Sequence, residues 1–464
     1  MQNILSEYYK SSLTPRSVVD GTTSPNGSGF FCFGGDTVCY GKSSAGVAPS
    51  VKNCADFDAS KESRIKNSEI HLPFDVANVI ENLRMERYVK QMASTQKKLG
   101  QRPLVREAYY LVRELLPVWA RRHLQRAYFR DWQSLKFPHW PVDTTVDSLH
   151  EAFLRLAMQA QGCNSVPFIW FWPEGASSCA ILTHDVETSE GRDFTPSLMD
   201  IDLSHGFQAS FQAVPEKRYE VPDSYVDEIR TRGFEFNIHD LNHDGHLFEE
   251  RNEFLRRAEK INEYVKKFST RGYRSGAMYR NLDWYDAFEF SYDMSVPNVA
   301  HLEPQRGGCC TVMPYFVGKI LELPLTTVQD YSMFQILNDY TIDLWKKQID
   351  LIQRRNGLLS FLAHPDYLID LRSRGVYESL LAYVRRIIDR DNIWATLPGE
   401  VDRWWRARSE MKLVAAGNGY RIEGPESNRA RVAYASLDGD RVVYSVDKLP
   451  ASERARPGIS PPGE

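Results

Sequence analysis

The segment FEFNIHDLNHDGHLF, residues 234–248, places three histidines and two aspartates between His239 and His246, in a chain with eleven histidines altogether. Histidine and carboxylate side chains together bind divalent metals, whereas the same residues in a solvated turn would do nothing. The flanking pattern helps to separate the two readings. An apolar run, FEFNI, leads directly into His239, and three other apolar runs end the same way: CAILTHDVE in Asp185 and Glu187, GYRSG in Arg274, and LLSFLAHPD in His364. Asp185 and Glu187 are two residues apart, so on an extended strand both side chains face the same side. One can then hold a metal while the other addresses a water molecule. Two histidines, His239 and His243, with one carboxylate form a set known to hold a catalytic zinc with a position left open for water. The spacing HDLNH also resembles the His-Glu-x-x-His of zinc proteases, but that motif works from the middle of a helix. Asn242, Asp244 and Gly245 favour a turn here, which sets the protease reading aside. His184 reads as a structural strand residue and His246 as a secondary candidate.

These groups need elements to bring them together. From residue 178 to 408 short apolar runs alternate with amphipathic stretches. CAILTHD, ASFQAV, FEFNI, GYRSG, FSYDMSV, KILELPL, LLSFLAH and IWATL read as strands. PDSYVDEIRTRG, RNEFLRRAEKINEYVKKF, TIDLWKKQIDLIQRRNG and GVYESLLAYVRRIIDRD read as helices. In the second of these, Phe254, Leu255, Ala258, Ile261, Val265 and Phe268 form one apolar stripe. Strand–helix alternation of this length predicts a parallel α/β sheet or barrel, and in such folds functional groups collect at the carboxyl ends of the strands.

Outside that region the pattern changes. Residues 1–70 are rich in Ser, Gly, Thr and Asn and read as irregular, apart from a β-hairpin in GFFCFGGDTVCYG. Residues 71–177 read as a helical extension packing on the barrel. Within it, Arg121, Arg122, Arg126 and Arg130 lie beside aromatic residues, a pattern that fits either a solvated helix face or peripheral membrane contact. Residues 409–450 switch to β character, with Asp438-Gly439 as a hairpin signal, and 451–464 read as a disordered tail.

The chain has 464 residues, 42% hydrophobic and 25% charged, the balance of an ordinary globular protein. A net charge of −4 gives no case for nucleic-acid binding. The seven cysteines are odd in number and include no Cys-x-x-Cys pair, so a disulfide framework is not expected. With no secretory leader pattern at the start, the expectation is a cytoplasmic protein.

The strand-end motifs resemble those of the polysaccharide deacetylase family, also called the NodB-homology fold or carbohydrate esterase family 4. THDVE is similar to the family's Thr-Phe-Asp-Asp motif, HDLNH to its His-(Ser/Thr)-x-x-His, the arginine of RSGA to Arg-x-Pro-Tyr, and LSFLAH to its Leu-x-Leu-x-His. QASFQAV and LPGEVDRWWRAR resemble two further family segments. The resemblance implies a distorted (β/α)7 barrel over residues 178–408 and one divalent metal, Zn2+ or a similar ion. It also implies a carbohydrate substrate carrying N-acetyl groups. It makes Asp185 the catalytic base, paired with Arg274, and His364 the acid, with Glu187, His239 and His243 as metal ligands. The chain departs from the family in three places. Val186 stands where a metal-binding Asp is usual, the Pro-Tyr after Arg274 is absent, and the Asp-Trp motif that supports the acid is not visible, Asp293 being a weak substitute. The absence of a leader suggests a lipid-linked or nucleotide-linked sugar as substrate. Two other classes stay open: a glycoside hydrolase using Asp185 and Glu187 as its carboxylate pair, and a sugar-binding protein of the same fold without activity. Trp284, Tyr285 and Tyr279 either line a sugar groove or belong to the core.

Overall fold

The computed structural model of the protein describes residues 4–21, 27–95, 129–417 and 419–447. Arg121, Arg122 and Arg126 of the predicted helical extension fall outside the described residues, and so does the 451–464 tail. The stretch before residue 73, read as irregular, contains five strands: β1 (Arg16–Val19), β2 (Gly29–Cys32), β3 (Val38–Gly41), β4 (Arg64–Lys66) and β5 (Glu69–Leu72). β2 and β3 form the expected hairpin, with Phe31 opposite Cys39. β1 pairs in parallel with β5, which pairs antiparallel with β4. These strands are three or four residues long, too short for periodicity to reveal. Helix α1 (Val76–Arg84) follows, capped by the Asp75 carboxylate, and buries Val76, Val79, Ile80 and Leu83 as their spacing predicts. Helix α2 (Thr145–Gln161) leads into β6 (Ser165–Ile169).

The barrel elements then alternate: β7 (Ser178–Val186), α3 (Ser189–Ser204), β8 (Ser210–Ala213), α4 (Asp223–Thr231), β9 (Glu235–His239), α5 (Arg251–Lys267), β10 (Gly272–Arg274), β11 (Tyr292–Asp293), β12 (Tyr315–Val317), β13 (Ile320–Glu322), α6 (Asp343–Gln353), β14 (Leu358–Leu362), α7 (Leu371–Asp391), β15 (Ile393–Ala395) and α8 (Pro398–Glu410). Among the described residues seven strands run parallel in the order β14-β7-β8-β9-β10-β11-β13, and β15 is an eighth, parallel to β7, in a curled sheet of the distorted (β/α) barrel type. β12 adds an antiparallel edge, and β15 pairs with the start of β7. Between β13 and β14 the closure is made by side chains. Thr326 Oγ1 donates to the Leu358 carbonyl at 2.6 Å and accepts from the Ser360 N–H at 3.0 Å, while Thr327 Oγ1 donates to the Ser360 carbonyl at 2.7 Å. α5 buries Phe254, Ala258, Ile261 and Val265 as expected, but Leu255 turns outward and is 42% exposed.

Alternation along β7 sorts its residues between two cores. Ala180, Leu182 and Val186 pack toward the flanking helices. Cys179 and Ile181, on the face that also carries Asp185, join a second core with Phe31, Phe74 and Leu83 of the N-terminal region, Phe153 of α2 and Trp404 of α8. The N-terminal region is thus packed against the face of the sheet that bears the candidate site. Buried polar contacts join the two as well: Tyr88 Oη donates to the Gly308 carbonyl at 2.7 Å, and Asp147 accepts from Thr311 Oγ1 at 2.7 Å and the Val312 N–H at 3.1 Å. After α8 come β16 (Lys412–Ala416), β17 (Gly419–Glu423), β18 (Val432–Asp438) and β19 (Arg441–Val446). β16 and β17 form one hairpin and β18 and β19 another. β18 also pairs with β6, so the C-terminal strands extend a sheet begun before the barrel.

Candidate metal-assisted hydrolytic site

Each strand-end residue picked out by the motifs reaches one shared space. Asp185 is buried near the end of β7, where its Oδ1 accepts from Arg274 Nη1 at 2.9 Å. Arg274 is itself fixed from β10: Nη1 also donates to Thr183 Oγ1 at 2.9 Å and Nε to the Met294 carbonyl at 2.9 Å. Burial works against ionising Asp185, but the Arg274 guanidinium, His239 and His364 together outweigh it and hold the carboxyl below the ordinary aspartate range. Its second oxygen, Oδ2, lies 3.8 Å from His239 Nε2.

Glu187 Oε1 lies 3.0 Å from His243 Nε2, 3.8 Å from His239 Nε2 and 3.7 Å from His364 Nε2. His239 ends β9 and donates from Nδ1 to the Arg274 carbonyl at 3.1 Å, which aims its Nε2 lone pair at the site. His243 sits beyond a tight turn with φ +56° at Asp240 and +54° at His243 itself, so the helical reading required by zinc proteases does not apply. Arg218 clamps that turn by donating to the His243 carbonyl at 2.7 Å.

Glu187, His239 and His243 each offer one ligand atom, and those atoms lie within 4.8 Å of one another. Although His243 Nε2 approaches Glu187, the geometry is not that of a hydrogen bond. Both Nε2 atoms are buried without a hydrogen-bond partner. Buried polar atoms are ordinarily satisfied, and two imidazole nitrogens with a carboxylate are a donor set for zinc and its neighbours. The residues therefore fit a divalent metal. Burial opposes the charge on Glu187, yet His243, His239 and His364 hold its carboxyl well below the ordinary range.

His364 follows β14, and its partner is one the motifs did not reveal. Asp330 Oδ1 lies 2.7 Å from His364 Nδ1, and Asp330 Oδ2 accepts the His364 backbone N–H at 2.7 Å. Burial disfavours the imidazolium, but Asp330, then Glu187 and Asp185, raise the His364 pKa to about 10. Asp293, the weak sequence candidate for this role, instead accepts from Tyr285 Oη at 2.8 Å and Ser295 Oγ at 2.6 Å. Asp330 lies in the connection that follows β13, in TTVQDYS, where no local pattern marks it. His184 keeps its structural reading, buried between the Ala363 carbonyl at 2.8 Å and Asp202 at 2.9 Å. His246 pairs with Glu249 at 2.7 Å. Tyr279 and Tyr285 are core residues, and Trp284 packs on Phe254.

No protein-family model and no curated protein matches the chain. Among solved structures, the chain is similar to one assigned as a polysaccharide deacetylase from Mycobacterium smegmatis. Identity is 16% over 54% of this chain and 97% of the other, with a TM-score of 0.43. It is also similar to the peptidoglycan deacetylase PdaC from Bacillus subtilis, at 12% identity over 51% and 95% of the two chains, TM-score 0.32. A family 4 carbohydrate esterase from Streptomyces lividans gives 9% over 48% and 93%, TM-score 0.30. The likeness is to polysaccharide deacetylases. No helix among the described residues is long and apolar enough to cross a membrane.

Proposed function

We propose that the protein is a metal-dependent hydrolase that removes acetyl groups from N-acetylated sugars. One observation carries this reading: an arginine-held carboxylate, an aspartate-held histidine and two imidazole nitrogens without hydrogen bonds, with a carboxylate, converge at neighbouring strand ends. Glu187, His239 and His243 would hold the metal, Zn2+ or a similar ion. When bound, it supplies Lewis acidity that polarises a carbonyl and makes water a better nucleophile near neutral pH.

The protein's own groups account for the protons. Asp185 spends Oδ1 on Arg274 and keeps Oδ2 on the side of His239, so Oδ2 is the oxygen placed to accept a proton from water. Because Arg274 and the neighbouring imidazoles keep the Asp185 carboxyl below the ordinary range, that base is ready at neutral pH. His364 turns Nδ1 to Asp330 and Nε2 toward Glu187, so Nε2 is placed to give a proton to the departing amine. An amine leaves poorly unless protonated, and a positioned acid or base contributes about 10²–10⁴-fold. Thr183 and the Met294 carbonyl fix Arg274, and Asp330 fixes His364, so both groups are set before substrate arrives.

The test is acetate release from N-acetylglucosamine oligomers, measured with metal content on the same preparation. Acetate release that stops on chelation and returns with Zn2+ supports the reading. A fully metal-loaded protein that cleaves the glycosidic bond and leaves the acetyl group would replace it with the glycoside hydrolase reading.

A further inference from the structure

The N-terminal hairpin carries a feature that the catalytic reading does not use. Cys32 ends β2, and Cys54 lies in a helical turn at Val51–Asp56. Both are free thiols, and their sulfur atoms are 3.1 Å apart. Unbonded carbon atoms rest at about 3.5–4.0 Å, and sulfur is larger, so this pair is closer than ordinary packing provides. The approach is built by backbone rather than by the side chains alone. The Cys32 N–H donates to the Phe57 carbonyl at 3.0 Å, Cys32 bridges to Asp58, and the Gly34 N–H donates to the Asp58 carboxylate at 3.1 Å. The segment holding Cys54 is therefore laced along the strand holding Cys32. The two cysteines are 5% and 6% exposed, whereas Cys39 on the facing strand is fully buried.

We propose that Cys32 and Cys54 are a disulfide site, closed by a small-molecule or protein disulfide as oxidant. One cysteine sulfur, as thiolate, attacks a sulfur of the oxidant and releases its first thiol. The other cysteine sulfur then attacks the mixed disulfide and releases the second. Two cysteine thiols are oxidised, one oxidant disulfide is reduced, and the two protons end on the released thiols. The bond closes a chain separation of 22 residues and restricts the unfolded ensemble accordingly. It fastens the hairpin to the turn beneath it without touching any residue of the hydrolytic site. Burial, then the neighbouring sulfur, pushes the Cys32 thiol up to about 12, so in the folded protein the exchange is slow at neutral pH and favoured by alkaline conditions. A bond here belongs in an oxidising compartment, in contrast to the cytoplasmic expectation drawn from the sequence.

The experiment is to equilibrate the full-length protein at alkaline pH in glutathione disulfide and in reduced glutathione. Differential alkylation and peptide mapping follow. The expected result in the oxidised sample is a peptide pair linked through Cys32 and Cys54, lost on reduction. The link should persist in Cys39→Ser and be absent in Cys54→Ser, and the oxidised protein should melt several degrees above the reduced one. Full alkylation of both cysteines at equilibrium would overturn the proposal. So would glutathione adducts without a link, or a link through Cys39. The peptide map of the unsubstituted protein decides these outcomes whether or not the variants fold.

Discussion

Asp185 and Glu187 are two residues apart and share a face, yet their neighbours give them different work. Asp185 is matched to an arginine, while Glu187 faces three imidazoles. Asp185→Asn should therefore keep its metal and lose turnover by about 10²-fold or more, whereas Glu187→Gln should lose the metal. Metal analysis and acetate release on both variants check this, and metal loss in Asp185→Asn with retention in Glu187→Gln would invert the assignment. His364 offers a second test. Its pKa is raised to about 10, and its proton is needed for the leaving amine, so activity should persist below that pKa and fall as pH rises through it. Metal on Glu187 removes one of the charges raising it, so in the loaded enzyme the alkaline limb should lie below 10. Asp330→Asn removes the carboxylate that contributes most to the rise, and its alkaline limb should shift to lower pH. A pH–rate profile of Asp330→Asn superimposing on wild type would separate Asp330 from the chemistry.

At the scale of elements, the strands deliver functional groups and the connections hold them. β7 delivers Asp185 and Glu187, β9 His239, β10 Arg274 and β14 His364, all from parallel neighbours. α2 holds the loop beyond β11 through Asp147, which accepts two hydrogen bonds from Thr311 and Val312. Burial raises the Asp147 pKa to about 6, against those hydrogen bonds and Arg355. The folded state thus keeps a proton that the unfolded chain releases near 3.8. This contribution to stability is fully present below 3.8 and is lost as pH rises through about 6, a span of about 3 kcal/mol in order of magnitude. Asp147→Asn keeps the shape and has no proton to titrate; its lost acceptor is offset at neutral pH by the buried charge it removes. Its stability between pH 4 and 6 should slope less than that of wild type, as denaturant titrations at several pH values would show.

For the whole molecule, the question is why a barrel carries so long an N-terminal region. Glu86, just beyond α1, pairs with Arg280 of the barrel; Arg280 Nε donates to Glu86 Oε2 at 2.5 Å, and both side chains are buried. The Gly308 N–H also donates to Glu86. Removing one partner of a buried pair leaves an uncompensated charge, so Glu86→Gln should destabilise by about 3–5 kcal/mol. A drop in the denaturant midpoint too small to register would show that Arg280 finds water instead. A fragment of residues 1–150 should show no hydrolysis of its own, since every group of the proposed chemistry lies in the barrel. A chain ending at residue 410 should aggregate or melt earlier, because β6 loses β18 and the Tyr9–Tyr444 hydrogen bond of 2.9 Å.

The strand ends were legible because short-range rules write them. Apolar runs mark buried parallel strands, polar residues mark where they stop, and a two-residue spacing places Asp185 and Glu187 on one side. His239, His243, Arg274 and His364 emerged from the same pattern, as did the hairpin at β2 and β3 and, Leu255 apart, the buried stripe of α5. What tertiary structure alone decided lies in contacts distant along the chain. Asp330 reaches His364 across 34 residues, Glu86 reaches Arg280 across 194, and β18 finds β6 far upstream. Cys32 meets Cys54 through backbone hydrogen bonds that no cysteine spacing announces. Local periodicity fixes which face a side chain takes, but a partner is chosen only when the sheet curls and two faces close on each other.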